Sequence, residues 1–264
     1  DNLVNIFKGD FLEELIAKIP YTLNKFCCSN DGQAKFRVTE NLINLASDAS
    51  SNKSTNNDVE LPKVLMVGLN EEYGGGVVGL TYDLCRGLVN RGYQVSLLEP
   101  KGQQHGESTA DISIKPSEKD GYQLISIDNW VVRLTEAKYH VKFSPGSDLL
   151  KSVMKIYPSD IVHIQHTITM GTDIYRVAKE AGKIVIAAIH DFWLLCSRIQ
   201  RVDDTWKLCD GPEDGTKCKE CAKDHFQGSE EDWQQRLSQH IYMLNRYVDV
   251  ITVVSNDLRN YFIK

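Results

Sequence analysis

No stretch of the 264-residue chain approaches the ~20 consecutive apolar residues needed to cross a bilayer. Residues 1–20 lack a basic head followed by an apolar run, so no secretory signal is read. Lysine and arginine are scattered rather than clustered, and the formal charge is −6. A protein that displaces phosphate counterions needs concentrated cations, so a general nucleic-acid partner and an anionic-lipid patch are excluded. Internal repeats are also lacking. The seven cysteines are odd in number and come without a secretory signal, which points to a reducing compartment and a cytoplasmic location. The chain opens on Asp1 rather than Met, as expected of a fragment, so absent targeting signals carry little weight.

What is present divides into unequal parts. Residues 1–46 carry two helical patterns, the stronger on Phe11, Leu12, Leu15, Ile16 and Ile19 before Pro20. Residues 47–62 begin with a polar tract, Ser47 to Asp58, that reads as a linker. From residue 63 to 264, strands and helices alternate. Lys63–Leu69, Tyr93–Leu98, Asp160–Gln165, Lys183–Ile189 and Val248–Val254 are predicted strands, and Leu124–Leu134 is strand material with a hairpin around Asp128-Asn129. Helices are predicted over Val77–Arg91, Ser147–Tyr157 with Ser147 as cap, Gly171–Ala181, Asp232–Tyr247, and after Ser255. The alternation implies a parallel sheet covered on both faces, a Rossmann-like α/β fold. Such sheets bind ligands beyond the carboxyl ends of their strands, which directs the search to the loops after Leu69, Gln165 and Ile189.

The first of these loops holds Gly74, Gly75 and Gly76, and Gly74 to Gly79 satisfies the G-x-G-x-x-G pattern, with Glu99 at the end of the second predicted strand. That is the dinucleotide-binding reading, an NAD(P)-dependent oxidoreductase. Against it, Leu69 to Tyr73 separates strand from glycines and brings two carboxylates that would repel a pyrophosphate. The alternative is a longer loop that offers bare backbone N–H groups and a helix N-terminus to a phosphate or a sugar. A plain strand-to-helix turn is the third reading.

The other two loops carry histidines. His163 alternates into the covered face and reads as a core residue, whereas His166 and His190 stand at strand ends and can project into the cleft. Asp191 beside His190 can orient and charge it. Phe192 and Trp193 suit an apolar wall for a sugar ring or simple core packing. The region 196–228 is an insertion of little periodicity holding Cys196, Cys209, Cys218 and Cys221, the last two in a C-x-x-C knuckle. Four thiolates at these spacings suit a structural zinc, with an iron–sulfur cluster as the alternative and free or disulfide-paired cysteines as the plain reading. His225 is a spare ligand candidate. Arg198 contacts an anionic group or braces the loop.

The glycine loop, the helix from Leu80 to Val95, the strand ending in His166-Thr167, and His190-Asp191-Phe-Trp193 followed by Cys196 come in an order that resembles the family 4 glycosyltransferases. The resemblance covers about 63–264. It implies one half of a GT-B fold, with the cysteine-rich loop as insertion and 1–46 as a helical extension. It implies further that this is the N-terminal, acceptor-side half of a retaining glycosyltransferase. Such an enzyme moves a sugar from a nucleotide-sugar donor to a glycan, lipid or other acceptor. By the resemblance, Gly75 and Gly76 approach the donor diphosphate and the acceptor, His190 lies near the transferred sugar, and His166 lines the acceptor side. The donor-binding C-terminal half, with its paired glutamates, is expected beyond Lys264, and without it the fragment is expected to be inactive. The departing diphosphate would assist deprotonation of the acceptor, in keeping with the lack of a glycosidase-type carboxylate pair. A noncatalytic, zinc-stapled binding domain remains the competing reading beside the oxidoreductase.

Overall fold

The computed structural model describes residues 61–73, 75–103, 112–131 and 137–262. The helical extension expected over 1–46 and nearly all of the linker expected over 47–62 lie outside them, as does Gly74. The elements are β1 Val64–Val67, α1 Gly75–Val89, β2 Val95–Gln103, β3 Ser113–Lys119, β4 Tyr122–Val131, α2 Ser144–Ile156, β5 Ile161–Ile164, α3 Asp173–Glu180, β6 Ile184–Ile189, α4 Cys218–Ala222, α5 Glu230–Tyr247, β7 Val250–Val253 and α6 Asn256–Phe262. Short 3-10 turns lie at Glu71–Tyr73 and Ala137–His140.

The strands form one sheet in the order β3-β4-β2-β1-β5-β6-β7. Every pairing is parallel except β3 with β4. This is the Rossmann-like arrangement that the alternating pattern implied, with an antiparallel hairpin added at one edge. The central strands are continuous apolar runs because both faces are covered. Met66, Leu97 and Ile186 pack with Val78, Leu84 and Leu88 of α1. Leu65, Val67, Leu98, Val162 and Ile164 face the other way, into a core shared with Leu150 of α2, Ile174 and Val177 of α3, and Leu237 and Leu244 of α5. Leu65 is fully buried there, and truncating it to alanine is expected to cost about 2–5 kcal/mol through lost contacts and the cavity left behind.

Two local expectations are corrected. The hairpin turn lies at Asp120-Gly121, not at Asp128-Asn129. Asp120 and Gly121 both adopt positive φ, 50° and 81°, as a two-residue turn with the twist of its strands requires. Asn129 stays inside β4 with φ of 58°, close to where the β2–β4 register shifts. Ser147 is not a cap. The helix starts three residues earlier, with Pro145 in its first turn, and the Ser147 hydroxyl donates to Asp173 Oδ2 at 2.9 Å, joining α2 to α3. By contrast, Ser255 takes the capping role expected of it, accepting from Leu258 N at 3.1 Å. Ser229 and Asp232 form a reciprocal capping box, so α5 begins at Glu230 rather than Asp232.

Close backbone approach fixes the wall beside β5. A Cβ on Gly146 would lie 2.2 Å from the Met170 carbonyl oxygen, so the start of α2 and the loop after β5 are in main-chain contact. Trp130 Nε1 donates to Thr169 O at 2.8 Å and ties the same loop to β4.

Candidate active site

Because β1, β5 and β6 are parallel, their carboxyl ends lie along one edge of the sheet. After β1 the chain passes Gly68, Leu69 and Asn70, turns through Glu71–Tyr73, and enters α1 at Gly75. Gly75 has φ of +79°, which a side chain would strain. A Cβ at Gly75, Gly76 or Gly79 would meet no atom of the described residues within 4 Å. Packing therefore does not require glycine at 76 or 79. The backbone at the N-terminus of α1 stands open, where free N–H groups and the helix dipole favour an anion. Asn70 is 2% exposed, and neither atom of its carboxamide has a partner among the described residues. Its position beside the glycine turn marks it as a site candidate that the sequence reading did not single out.

Glu99 is not at the end of its strand as expected. It lies within β2 and is 3% exposed, with Oε1 unpartnered among the described residues. Burial raises its pKa, against the pull of Tyr82 and the nearby lysines. A buried carboxyl behind Glu71–Tyr73 does not present the exposed acid that a cofactor ribose needs, so the dinucleotide reading loses its second anchor.

The histidines fall into one pair with a carboxylate and one chain of three residues. His166 Nδ1 accepts from the backbone N–H of Ile168 at 3.0 Å, which leaves the proton on Nε2, and Nε2 meets Asp191 Oδ2 at 3.1 Å. Asp191 Oδ1 accepts from Trp193 N at 2.8 Å. Burial pushes the Asp191 carboxyl up, but the hydrogen bond and charge of His166 outweigh it and hold it below the usual range. Both Asp191 oxygens are thus engaged, and the residue orients His166 rather than His190, a correction to the expected partnership.

His190 instead meets Gln165. Its Nε2 lies 3.0 Å from Gln165 Oε1, and Gln165 Nε2 lies 3.0 Å from His163 Nε2. Gln165 and His163 are both fully buried. Burial, then the neighbouring His166, lowers the His190 pKa to about 4, with Asp191 opposing. Burial lowers that of His163 to about 3. Both rings are therefore neutral at pH 7. The core placement expected of His163 is what the structure shows. Gln165 was missed as a functional partner, although its period-two spacing from His163 put both on one face of the strand.

His166, Thr167, Tyr175, His190, Asp191 and Trp193 line a narrow recess of about 10 Å³. Trp193 is 2% exposed and packs against His140 at 4.7 Å and the Arg236 guanidinium at 4.9 Å. Its role is core packing, with one edge lining the recess. Arg236 donates to His140 Nδ1 at 2.7 Å and to the Trp193 carbonyl, so α5 fixes the loop from below. Arg198 donates to the Cys221 carbonyl at 3.1 Å, and the structure places it as a brace of the cysteine-rich loop.

That loop is more ordered than its composition suggests. It contains α4, a bridge between Val202 and Leu208, and a small core of Ala137, Ala222 and Trp233 with Cys218 and Phe226 against it. Cys196, Cys209, Cys218 and Cys221 are all free, and Cys209 Sγ turns to the Gly211 carbonyl at 3.4 Å. Burial pushes the Cys218 thiol up to about 11 and raises that of Cys221. Among the described residues no three His, Cys, Asp or Glu side chains are grouped to hold a metal ion. The thiols of Cys196, Cys221 and Cys209 nevertheless lie near enough to Cys218 to add to the rise in its pKa, so the four cysteines of the zinc or iron–sulfur expectation share one neighbourhood. Among the described residues no helix is long and apolar enough to cross a membrane.

The sequence profile described as Glycosyltransferase Family 4 matches residues 74–264. No curated protein matches the chain. Among solved structures, an α,α-trehalose-phosphate synthase (UDP-forming) from Burkholderia vietnamiensis is similar with 12% identity and a TM-score of 0.36, over 72% of this chain and 48% of that one. The Burkholderia xenovorans synthase in complex with glucose-6-phosphate gives 11% and 0.34, over 52% of this chain and 36% of that one. A trehalose-6-phosphate structure from E. coli bound with UDP-2-fluoro glucose gives 11% and 0.33, over 49% and 33%. The chain thus spans less than half the length of each of these structures.

Proposed function

Since this chain belongs to Glycosyltransferase Family 4, we propose that it is the acceptor-side half of a retaining GT-B glycosyltransferase that uses a nucleotide-sugar donor. The observation that carries the reading is the open glycine turn at the head of α1, on the same sheet edge as His190. Gly75 and Gly76 expose backbone where a diphosphate or sugar would approach, with no side chain between ligand and helix N-terminus. His190, neutral at physiological pH, serves as a hydrogen-bond partner for a sugar hydroxyl rather than as a cation. Asp191 holds His166 and the Trp193 backbone in place. With its carboxylate so engaged, no free carboxylate stands among the described residues that line the recess, which fits a reaction in which the leaving diphosphate takes up the acceptor proton. The donor pocket and the paired glutamates would come from a C-terminal half.

The test joins this chain to such a half and follows sugar transfer from UDP- and GDP-sugars to an acceptor panel. His190→Ala is expected to lower kcat by about a hundredfold or more, since a hydrogen bond at the reacting centre is lost. Undiminished transfer by the variant would remove His190 from the site. Tight NAD or NADP binding by the wild-type chain would revive the oxidoreductase reading.

A further inference from the structure

His163 and Gln165 are an expensive way to build the middle of a sheet. His163 sits in β5 between Met66 of β1 and Ile186 of β6, fully buried. Its Nδ1 has no partner among the described residues, and an unmet buried polar atom destabilises a fold. An aliphatic pair would fill the same space without that penalty. What the two residues provide is a directed chain of hydrogen bonds that ends on His190: His163 Nε2 to Gln165 Nε2 at 3.0 Å, and Gln165 Oε1 to His190 Nε2 at 3.0 Å.

A carboxamide differs from a hydroxyl in that its donor and its acceptor are separate atoms. One end only donates and the other only accepts. Gln165 therefore forces opposite roles on the two rings it joins. His163 Nε2 accepts and carries its proton on Nδ1. His190 Nε2 donates, so its Nδ1 bears a lone pair. That Nδ1 has no partner among the described residues and is not among the atoms sealed from solvent. The other groups facing His190 are His166 and Asp191, which are engaged with one another.

We propose that Gln165 is a positioning residue that holds His190 in its Nε2–H tautomer, so that Nδ1 offers a lone pair to a donor from the substrate, a sugar hydroxyl above all. The assignment rests on the reading of His190 as a cleft residue given above. Gln165 touches no substrate; it acts through the ring it orients. A buried amide does here what a carboxylate does in many histidine sites, but without adding charge, so the ring stays a neutral acceptor.

The test is imidazole 15N NMR on the reduced chain at pH 7. In the unaltered protein, His190 is expected to show a protonated Nε2 and an unprotonated Nδ1, and His163 the reverse. His190 protonated on Nδ1 would overturn the proposal, and this measurement needs no variant to fold. In Gln165→Leu, His190 is expected to drift to a mixture of tautomers, while Gln165→Asn, with too short a reach, behaves similarly. An unchanged His190 signature in a folded variant would also overturn it. In the completed enzyme, Gln165→Leu should lower kcat roughly ten- to a thousandfold with KM little changed. If the tautomers are as stated and His190→Ala still transfers sugar at full rate, His190 leaves the site and its lone pair serves no substrate, while the hold of Gln165 on the ring stands; no transfer by the completed wild-type enzyme would instead sink the function reading.

Discussion

Acid should unfold this protein through its buried imidazoles before its carboxylates protonate. His163, His190 and His240 all have folded pKa values below 6.5, the first two at about 3 and about 4, each because burial penalises the charged ring. In the unfolded chain each takes up a proton near pH 6.5. The neutral rings thus leave stability intact above pH 6.5 and lose it progressively as the pH falls toward the folded values. The slope is about 1.4 kcal/mol per pH unit for each histidine. From pH 8 to pH 5 that amounts to about 2 kcal/mol each, or about 6 kcal/mol for three, against a typical total of about 5–15 kcal/mol. Glu99 works in the opposite direction: its raised pKa means that the fold gains from protonating it, which removes at most one such slope between pH 4.5 and its folded value. Asp173 and Asp191, whose pKa values are lowered, act only below about pH 4. Urea unfolding of the wild type and of His163→Leu at pH 8 and pH 5 isolates one ring. The difference in stability between the two proteins should shift by about 2 kcal/mol in favour of the variant on going to pH 5. Parallel curves would refute the assignment of a neutral, fully buried His163.

The two glycines at the head of α1 should respond differently to alanine. Gly76→Ala meets no atom of the described residues and is expected to leave the melting temperature within a degree or two while impairing nucleotide-sugar or acceptor binding, whereas Gly75→Ala should cost about 1 kcal/mol from its positive φ. Equal binding by Gly76→Ala would count against a ligand over the turn. The four free thiols of the cysteine-rich loop give the metal expectation a direct test: a structural site at Cys196, Cys209, Cys218 and Cys221 requires one equivalent of bound zinc and a chelator-sensitive melting transition, and melting unchanged in chelator with no stoichiometric metal would remove it.

The strands were readable because a parallel sheet covered on both faces demands unbroken apolar runs, and Val64–Val67 and Ile184–Ile189 meet that demand. Turns were less so. Asp128-Asn129 and Asp120-Gly121 have similar turn chemistry, and only the pairing of β3 with β4 decides between them. Ser147 resembled a cap, but Pro145 had already set the first turn. At the candidate site, His166, His190 and Asp191 were singled out from their places at strand ends, and the structure brings them to one recess. Their partners were not, because adjacency of β5 and β6 and the direction of each ring are tertiary facts. Residues 163 and 165 carried a signal, two polar side chains on one face of a buried strand, and its meaning depended on where His190 came to lie.

The contact between Gly146 and the Met170 carbonyl has a practical side for anyone wishing to reshape the cleft. Where the start of α2 meets the loop after β5 the contact is main chain on both sides, and it cannot be carved back by trimming side chains or padded by adding them. The turn at residues 75–79 has the opposite character, with empty space over each glycine. A library aimed at a larger or smaller acceptor would return folded variants from the glycine turn and mostly broken ones from positions 146 and 170.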